Sequence, residues 1–489
     1  MNYEKENFSA QKSNGRVYTP TYIVNAILDA ADYRNNKILK KHVMENSCGD
    51  GAFLSVIVRR YCEAGIAANK SCNVLKEELE TYIHGIEISE VEQKKAVESV
   101  DNVAHEFGIS GVHWDIQCAD ALLVQDYDGK MDFVLGNPPY VRVHNLGSSY
   151  SKIKSFFFAQ NGMTDMYIVF FELGLRMLKE NGTLGYITPS SYFSSVAGAN
   201  MRQDFLNNNL LKKVIDLKHF QPFSATTYTT ITVLQKGRKQ KETSYYVFDG
   251  GKKTPVFIDD LLPEDFYIAG SFYFAKKKDL CELKKILSSE NEQVFFQVKN
   301  GFATLADRFF IGHFDFSAFT IPIIKASTGV KYECLFPYVD SRLIPYEKIS
   351  KIGPIREYYK MHEEELKKRS LENADDWHGF GRSQGINDVG KQKFAINALL
   401  RNVQDIKMTK CDAGVGVYSG LYILTDVSEN EIRSILFTDD FISYISLLGK
   451  YKSGGYYTFS SKDLQVYLNY KYSQKVGIKN EQLSIFASA

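Results

Sequence analysis

The sequence predicts a doubly wound, mostly parallel α/β domain followed by a mixed α+β domain. Three observations predict it. Short apolar strands alternate with helices through the first half of the chain. The turns that carry polar and acidic residues stand at strand ends, where open α/β sheets bind ligands. Near residue 240 the alternation stops. At 489 residues the chain is also too long for one ordinary domain. The expected division is 1–240 and 241–489.

The first strand ends at Val43-Met44-Glu45-Asn46, and a helix opens at Ala52 and runs to Arg60. Tyr82 to Ile88 is a second strand, and a charged helix follows from Glu90. The polar stretch between them, Gly65 to Glu80, reads as a longer helix or a loop. A third strand is expected over His113 to Cys118 and a fourth over Asp132 to Gly136. Asp165 to Leu178 has apolar residues at helical spacing. After the Asn181-Gly182 turn, Gly185 to Thr188 is a fifth strand, and Val214 to Leu217 and Thr230 to Leu234 complete the set. The charged run Lys236 to Glu242 reads as the boundary. Beyond it come short aromatic-rich strands, loops and one charged helix near Glu357 to Leu371.

Composition excludes some classes. No run of about 18 apolar residues is present, so no membrane helix is expected. Met1 to Ser13 is polar and lacks the apolar core of a signal peptide. The seven cysteines are odd in number and form no CxxC pair, which points away from a zinc site or disulfide framework and towards a reducing cytoplasm. A net charge of +1 gives no basic footprint for nucleic acid, although one basic face can coexist with acidic ones.

Two groups of residues carry chemistry. The first is Glu45-Asn46-Ser47-Cys48-Gly49-Asp50-Gly51, between a strand and a helix. Gly49 and Gly51 allow a tight turn and close approach to a ligand. Glu87, at the end of the next strand, can accept both hydroxyls of a ribose. Asp120 follows the third strand and can accept from an adenine amino group. The second group is Asn137-Pro138-Pro139-Tyr140, after the buried strand Met131 to Gly136. An amino group on a heteroaromatic ring is a poor nucleophile because its lone pair is delocalised. The Asn137 side-chain oxygen and a nearby backbone carbonyl can accept both of its hydrogens and free that pair. The prolines stiffen the turn, and Tyr140 can stack on the ring.

At these residues the chain resembles the γ class of DNA adenine-N6 methyltransferases of restriction-modification systems, over roughly residues 14 to 236. Gly15 to Pro20 resembles the family's N-terminal cofactor motif, with Thr19 in the turn over the methionine moiety. Glu45 to Gly51 resembles its glycine-rich motif, with Asn46 departing from the usual proline. Glu87 and Asp120 match its ribose-binding and adenine-binding acids, and Asn137 to Tyr140 matches its catalytic tetrapeptide. Phe170 resembles the phenylalanine near the cofactor adenine. Phe223 resembles the aromatic that sandwiches the flipped base against Tyr140, with Phe220 as a competitor.

The resemblance implies a Rossmann-like sheet and S-adenosylmethionine as cofactor, held by Thr19, Glu45, Ser47, Gly49, Gly51, Glu87, Asp120, Asn137 and Phe170. It also implies double-stranded DNA as partner, base flipping, and target recognition by residues 241–489. There, Val298 to Gly301, Trp377 to Ser383 and Gly454 to Tyr457 look like family segments, and Arg382, Arg401 and Lys452 are candidate DNA contacts.

Only 14 residues precede Gly15, so no fused nuclease is expected and a cognate restriction endonuclease is expected as a separate protein. The expected state is a monomer in the cytoplasm without metal. The same tetrapeptide occurs in enzymes acting on ribosomal RNA bases or a protein glutamine amide, and N4-cytosine or a catalytically decayed specificity module are further alternatives.

Overall fold

The computed structural model describes residues 19–142, 153–223, 227–289, 294–371 and 373–487, with side chains to 477. The chain divides into two compact units, Met1–Cys281 and Glu282–Ala489.

In the first unit, α1 (Thr21–Ala30) precedes β1 (Val43–Glu45), α2 (Ala52–Ala67), α3 (Cys72–Tyr82), β2 (Ile83–Glu87), α4 (Glu90–Glu106) and β3 (Asp115–Cys118). There follow β4 (Met131–Gly136), α5 (Met166–Met177), β5 (Leu178–Pro189), α6 (Ala199–Asn207), β6 (Leu211–Asp216), β7 (Thr229–Gln235), β8 (Thr243–Asp249) and β9 (Thr254–Leu261). The strands form one nine-stranded sheet in the order β3-β2-β1-β4-β5-β7-β6-β8-β9. Five pairings are parallel and three antiparallel. The chain winds outward from β1 to β3, then returns to place β4 on β1's other side. The crevice between the carboxyl ends of β1 and β4 is therefore the topological switch point.

Buried apolar strands form because both faces of the sheet are covered: Val43, Ile83, Val134, Leu135, Leu184 and Ile187 are all fully buried. The stretch read as a longer helix or a loop, Gly65 to Glu80, contains the end of α2 and most of a separate helix, α3, whose amino end is capped by Ser71 accepting from the Val74 amide. This extra helix explains the long interval between the glycine turn and Glu87.

The expected boundary at 240/241 is displaced. Beyond it, β8 pairs parallel to β6, and β9 closes antiparallel on β8. The charged run read as a linker is a turn fastened to the sheet. Lys236 Nζ donates to the Leu178 carbonyl at 3.0 Å, and Arg238 donates to the Leu211 carbonyl at 2.6 Å.

The second unit is mixed α+β. One antiparallel sheet joins Gln297–Asn300, Leu421–Leu424, Lys393–Ile396 and Met408–Cys411. Another joins Ile311–Gly312, Val330–Leu335, Thr320–Lys325 and Gly416–Tyr418. The charged helix spans Gly353–Lys367. Among the described residues, no helix is long and apolar enough to cross a membrane, and no group of three or more His, Cys, Asp or Glu is placed to hold a metal ion.

Candidate active site at the switch point

The glycine turn is built from backbone upward. Gly49 and Gly51 have φ of +53° and +85°, the left-handed region that glycine enters at low cost. At Gly51 the requirement is also steric, because a Cβ would lie 2.8 Å from the Ala96 Cα of α4. Gly49 faces open space. Glu87 ties this turn to the next strand. Its Oε2 accepts from the Gly49 amide at 3.0 Å, and its Oε1 accepts from the Ser89 amide at 2.9 Å. Each oxygen keeps accepting capacity for a further donor. Glu45 is buried, with its carboxylate accepting from the Leu54 amide at 3.2 Å. Burial pushes the Glu45 carboxyl well above the usual range, against the opposing pull of that amide. Asn46 Oδ1 accepts from the Tyr186 hydroxyl at 3.0 Å, while Asn46 Nδ2 and Ser47 Oγ are buried without a hydrogen-bond partner among the described residues. At the end of β3, Asp120 Oδ1 accepts from the Leu122 amide at 3.1 Å, so this carboxylate also shapes its own turn.

Across the switch point, Asn137 Nδ2 donates to Thr19 Oγ1 at 3.0 Å. The Tyr140 hydroxyl donates to the Ile187 carbonyl of β5 at 2.9 Å, and burial holds that phenol well above its ordinary pKa. Tyr140 meets Tyr167 edge-on at 6.4 Å and Phe223 edge-on at 6.5 Å. The Tyr167 hydroxyl lies 3.0 Å from Ser191 Oγ. Thus the rings of Tyr140 and Phe223 come together. Phe220 goes elsewhere, stacking on Phe248 at 5.3 Å. Phe170 is buried in α5, and Pro138 is buried in the turn. Gly15 to Tyr18 and Ser224 lie outside the described residues.

A model of the Eco57I restriction-modification methylase family matches residues 35–223, from just before β1 to Phe223. This stretch is thus similar to the methylase domain of that family. The chain is 30% identical over 251 residues to the Type II methyltransferase M.BstVI of Geobacillus stearothermophilus, covering 48% of this chain and 45% of that protein. It is 25% identical over 334 residues to the Type II restriction enzyme and methyltransferase RM.Eco57I of Escherichia coli, covering 56% of this chain and 33% of that protein. The chain thus spans less than half the length of these relatives. Among solved structures, the Type IIL restriction-modification enzyme MmeI in complex with DNA superposes with a TM-score of 0.64 at 13% identity, over 90% of this chain and 63% of that one. The Type ISP enzyme LlaGI does so with a TM-score of 0.54 at 12% identity, over 94% of this chain and 54% of that one. These likenesses concern the fold.

Do the residues at the switch point fit an adenosine-bearing cofactor? The Glu87 carboxylate is held rigid at a strand end, the backbone at Gly49 is open, and buried Asn46 Nδ2 and Ser47 Oγ need partners. Ile88 and Leu123, beside Glu87 and Asp120, are 70% and 64% exposed and provide apolar surface at the same strand ends. The donor set and surface fit such a group.

The sequence reading missed Tyr167, Tyr186, Ile88 and Leu123. Tyr186 had a usable signal, since a tyrosine in a fully buried strand needs a hydrogen-bond partner. Ile88 and Leu123 had none, because exposure of an apolar residue is not legible from sequence.

Proposed function

We propose that the chain transfers a methyl group to N6 of adenine in double-stranded DNA, using S-adenosylmethionine, as the modification component of a restriction-modification system. The observation that carries this reading is the Asn137–Thr19 hydrogen bond, which fixes the amide of the tetrapeptide at the switch point. With Nδ2 committed to Thr19, Oδ1 takes the role of acceptor for one amino hydrogen of the target base. The Pro138 carbonyl takes the other. Together they draw the amino nitrogen towards tetrahedral geometry and free its lone pair. Because both acceptors are fixed by prolines and by Thr19, they favour the transition state without reorganising.

S-adenosylmethionine supplies an activated methyl group when bound. Glu87 holds the ribose, Asp120 the adenine amino group, and Asn46, Ser47 and Glu45 line the turn beneath. Phe170 packs near the adenine. No general base is needed, since the proton on the nitrogen becomes acidic once the methyl group is attached. An adenine inside a duplex cannot reach this turn, so it is flipped out and stacked on Tyr140. Phe223, now edge-on, turns to face it. The second unit, Glu282–Ala489, supplies target recognition, and the cognate endonuclease is a separate protein. The relatives named as Type II methyltransferases support DNA as substrate.

The test is expression in a host lacking adenine methylation, followed by genome-wide detection of N6-methyladenine. Modification at one defined sequence is expected. An unmodified genome, with purified protein that binds S-adenosylmethionine, overturns the DNA reading and moves the search to ribosomal RNA and protein amides.

A further inference from the structure

Two loops beside the tetrapeptide expose apolar side chains to water. Phe157 is 49% exposed, Met163 76% and Val196 72%. Phe157 and Met163 lie between β4 and α5, and Val196 between β5 and α6. Gly162 joins the loops, since a Cβ there would lie 3.3 Å from the Ala197 amide and 3.4 Å from the Val196 side chain. Asn200 bridges them again. Its Nδ2 donates to the Phe157 carbonyl at 2.8 Å, and its Oδ1 accepts from Asn161 at 2.6 Å.

The described residues of both loops are firmly held. Lys154 Nζ donates to the Ala159 and Gly162 carbonyls at 2.8 and 3.1 Å. The buried Arg202 guanidinium donates to the Tyr192 and Ser195 carbonyls at 2.7 and 2.8 Å. A large share of the polar groups here is thus spent on fixing backbone that presents apolar residues outward. Exposed apolar groups clustered on rigid backbone mark a contact surface.

The surface is continuous with the catalytic turn. The Met166 amide donates to the Val141 carbonyl at 2.9 Å, directly after Tyr140, and Arg142 bridges to Asp165. Tyr167, which meets Tyr140 edge-on, reaches Ser191 at the start of the second loop. Both loops therefore take their position from the same residues that hold the target base.

We propose that Met163 and Val196, with Phe157 beside them, form an apolar wedge that enters the duplex at the target step and stabilises the unstacked DNA while the adenine is extruded. This rests on the proposed methylation of duplex DNA. Thioether and branched aliphatic side chains suit the role, because they can cover the base faces bared by extrusion without competing for base-pair hydrogen bonds. Apolar wedges of this kind are used by proteins that unstack base steps.

The test compares the full-length parent with Met163→Ser/Val196→Ser on two duplexes carrying the sequence found by genome methylation mapping. In one the target adenine is paired with thymine, and in the other it faces an abasic site. Extrusion is easiest when pairing is already lost. The double variant should lose about tenfold or more in kcat/KM on the paired duplex and recover to within about threefold of the parent on the abasic duplex. Its melting temperature and S-adenosylmethionine affinity should match the parent's, and Met163→Leu/Val196→Ile should retain activity on the paired duplex. An unchanged rate on the paired duplex overturns the wedge, and so does an equal loss on both duplexes. A parent inactive on both duplexes overturns the methylation reading and the wedge together, which is distinct from an active parent with insensitive variants.

Discussion

Thr19→Val tests whether the tetrapeptide is preorganised from outside itself. Thr19 is 8% exposed, and its Oγ1 accepts from Asn137 Nδ2 at 3.0 Å. Valine keeps the branched shape but removes the acceptor, and little water can reach the gap. Leaving a buried amide hydrogen without its partner costs about 1–3 kcal/mol. The amide can avoid that cost only by rotating, which moves Oδ1 away from the amino hydrogen it must accept. If the whole cost falls on the transition state, the methyl-transfer rate drops by roughly 5- to 150-fold, at about 1.4 kcal/mol per tenfold. Single-turnover transfer of labelled methyl groups to the mapped DNA sequence measures this directly, with calorimetric cofactor affinity and thermal melting as controls. Thr19→Ser restores the oxygen and should recover most of the rate. A Thr19→Val enzyme within about twofold of the parent would refute the reasoning, since the bond would then contribute nothing to the reacting geometry.

Three further outcomes are expected. Asn137→Ala should abolish methyl transfer while cofactor binding persists, as followed by turnover and calorimetry; measurable turnover rules out the amide as acceptor. Glu87→Ala should raise the S-adenosylmethionine dissociation constant by tenfold or more, at roughly 1.5–3 kcal/mol for hydrogen bonds to a charged group, and an unchanged constant removes Glu87 from the site. In the second unit, burial works to raise the Asp388 carboxyl, but hydrogen bonds from Lys299, Lys391 and Tyr422 outweigh it and bring the pKa down to about 2. A depressed carboxyl stabilises the fold above its unfolded pKa near 4, and that stability disappears as pH falls towards 2. It amounts to about 2 kcal/mol. Denaturation midpoints followed by fluorescence should therefore fall between pH 5 and 2, and Asp388→Asn should flatten that profile; parallel profiles in the two proteins exclude Asp388 as the cause.

Much of the first unit was legible because its strands are apolar on both faces. The strands read at Val43 to Asn46, Tyr82 to Ile88 and Met131 to Gly136 are buried strands over Val43–Glu45, Ile83–Glu87 and Met131–Gly136. Their carboxyl-terminal turns were legible for the same reason, since polar and glycine residues interrupt apolar runs there. The sheet's extension past residue 240 was not legible. Thr243–Asp249 and Thr254–Leu261 are half-exposed strands near the sheet edge, and the cations before them look like a linker until their carbonyl partners are seen. The pairing of Asn137 with Thr19 spans 118 positions and has no periodic signature at all. The choice between Phe220 and Phe223 was equally out of reach, because it depends on which ring the β6–β7 connection turns towards Tyr140.

The two halves of the candidate site are coupled through β5. Tyr186 reaches Asn46 in the glycine turn, and the carbonyl of the next residue, Ile187, accepts from Tyr140 in the catalytic turn. Consecutive residues of one strand thus fix the position of both turns. That strand is hydrogen-bonded to β4 on one side and β7 on the other, so it cannot shift without disturbing seven paired positions on the β7 side alone. Methyl transfer needs the donor and acceptor within a few tenths of an ångström of a productive line. A shared rigid strand gives that registration, beside the direct pairing of β1 with β4. It also explains why the polar groups at this end of the sheet are spent on backbone atoms: Glu87 on two amides, Tyr140 on a carbonyl and Glu45 on an amide. Bonds to backbone hold turns in place, and the turns hold the reacting groups.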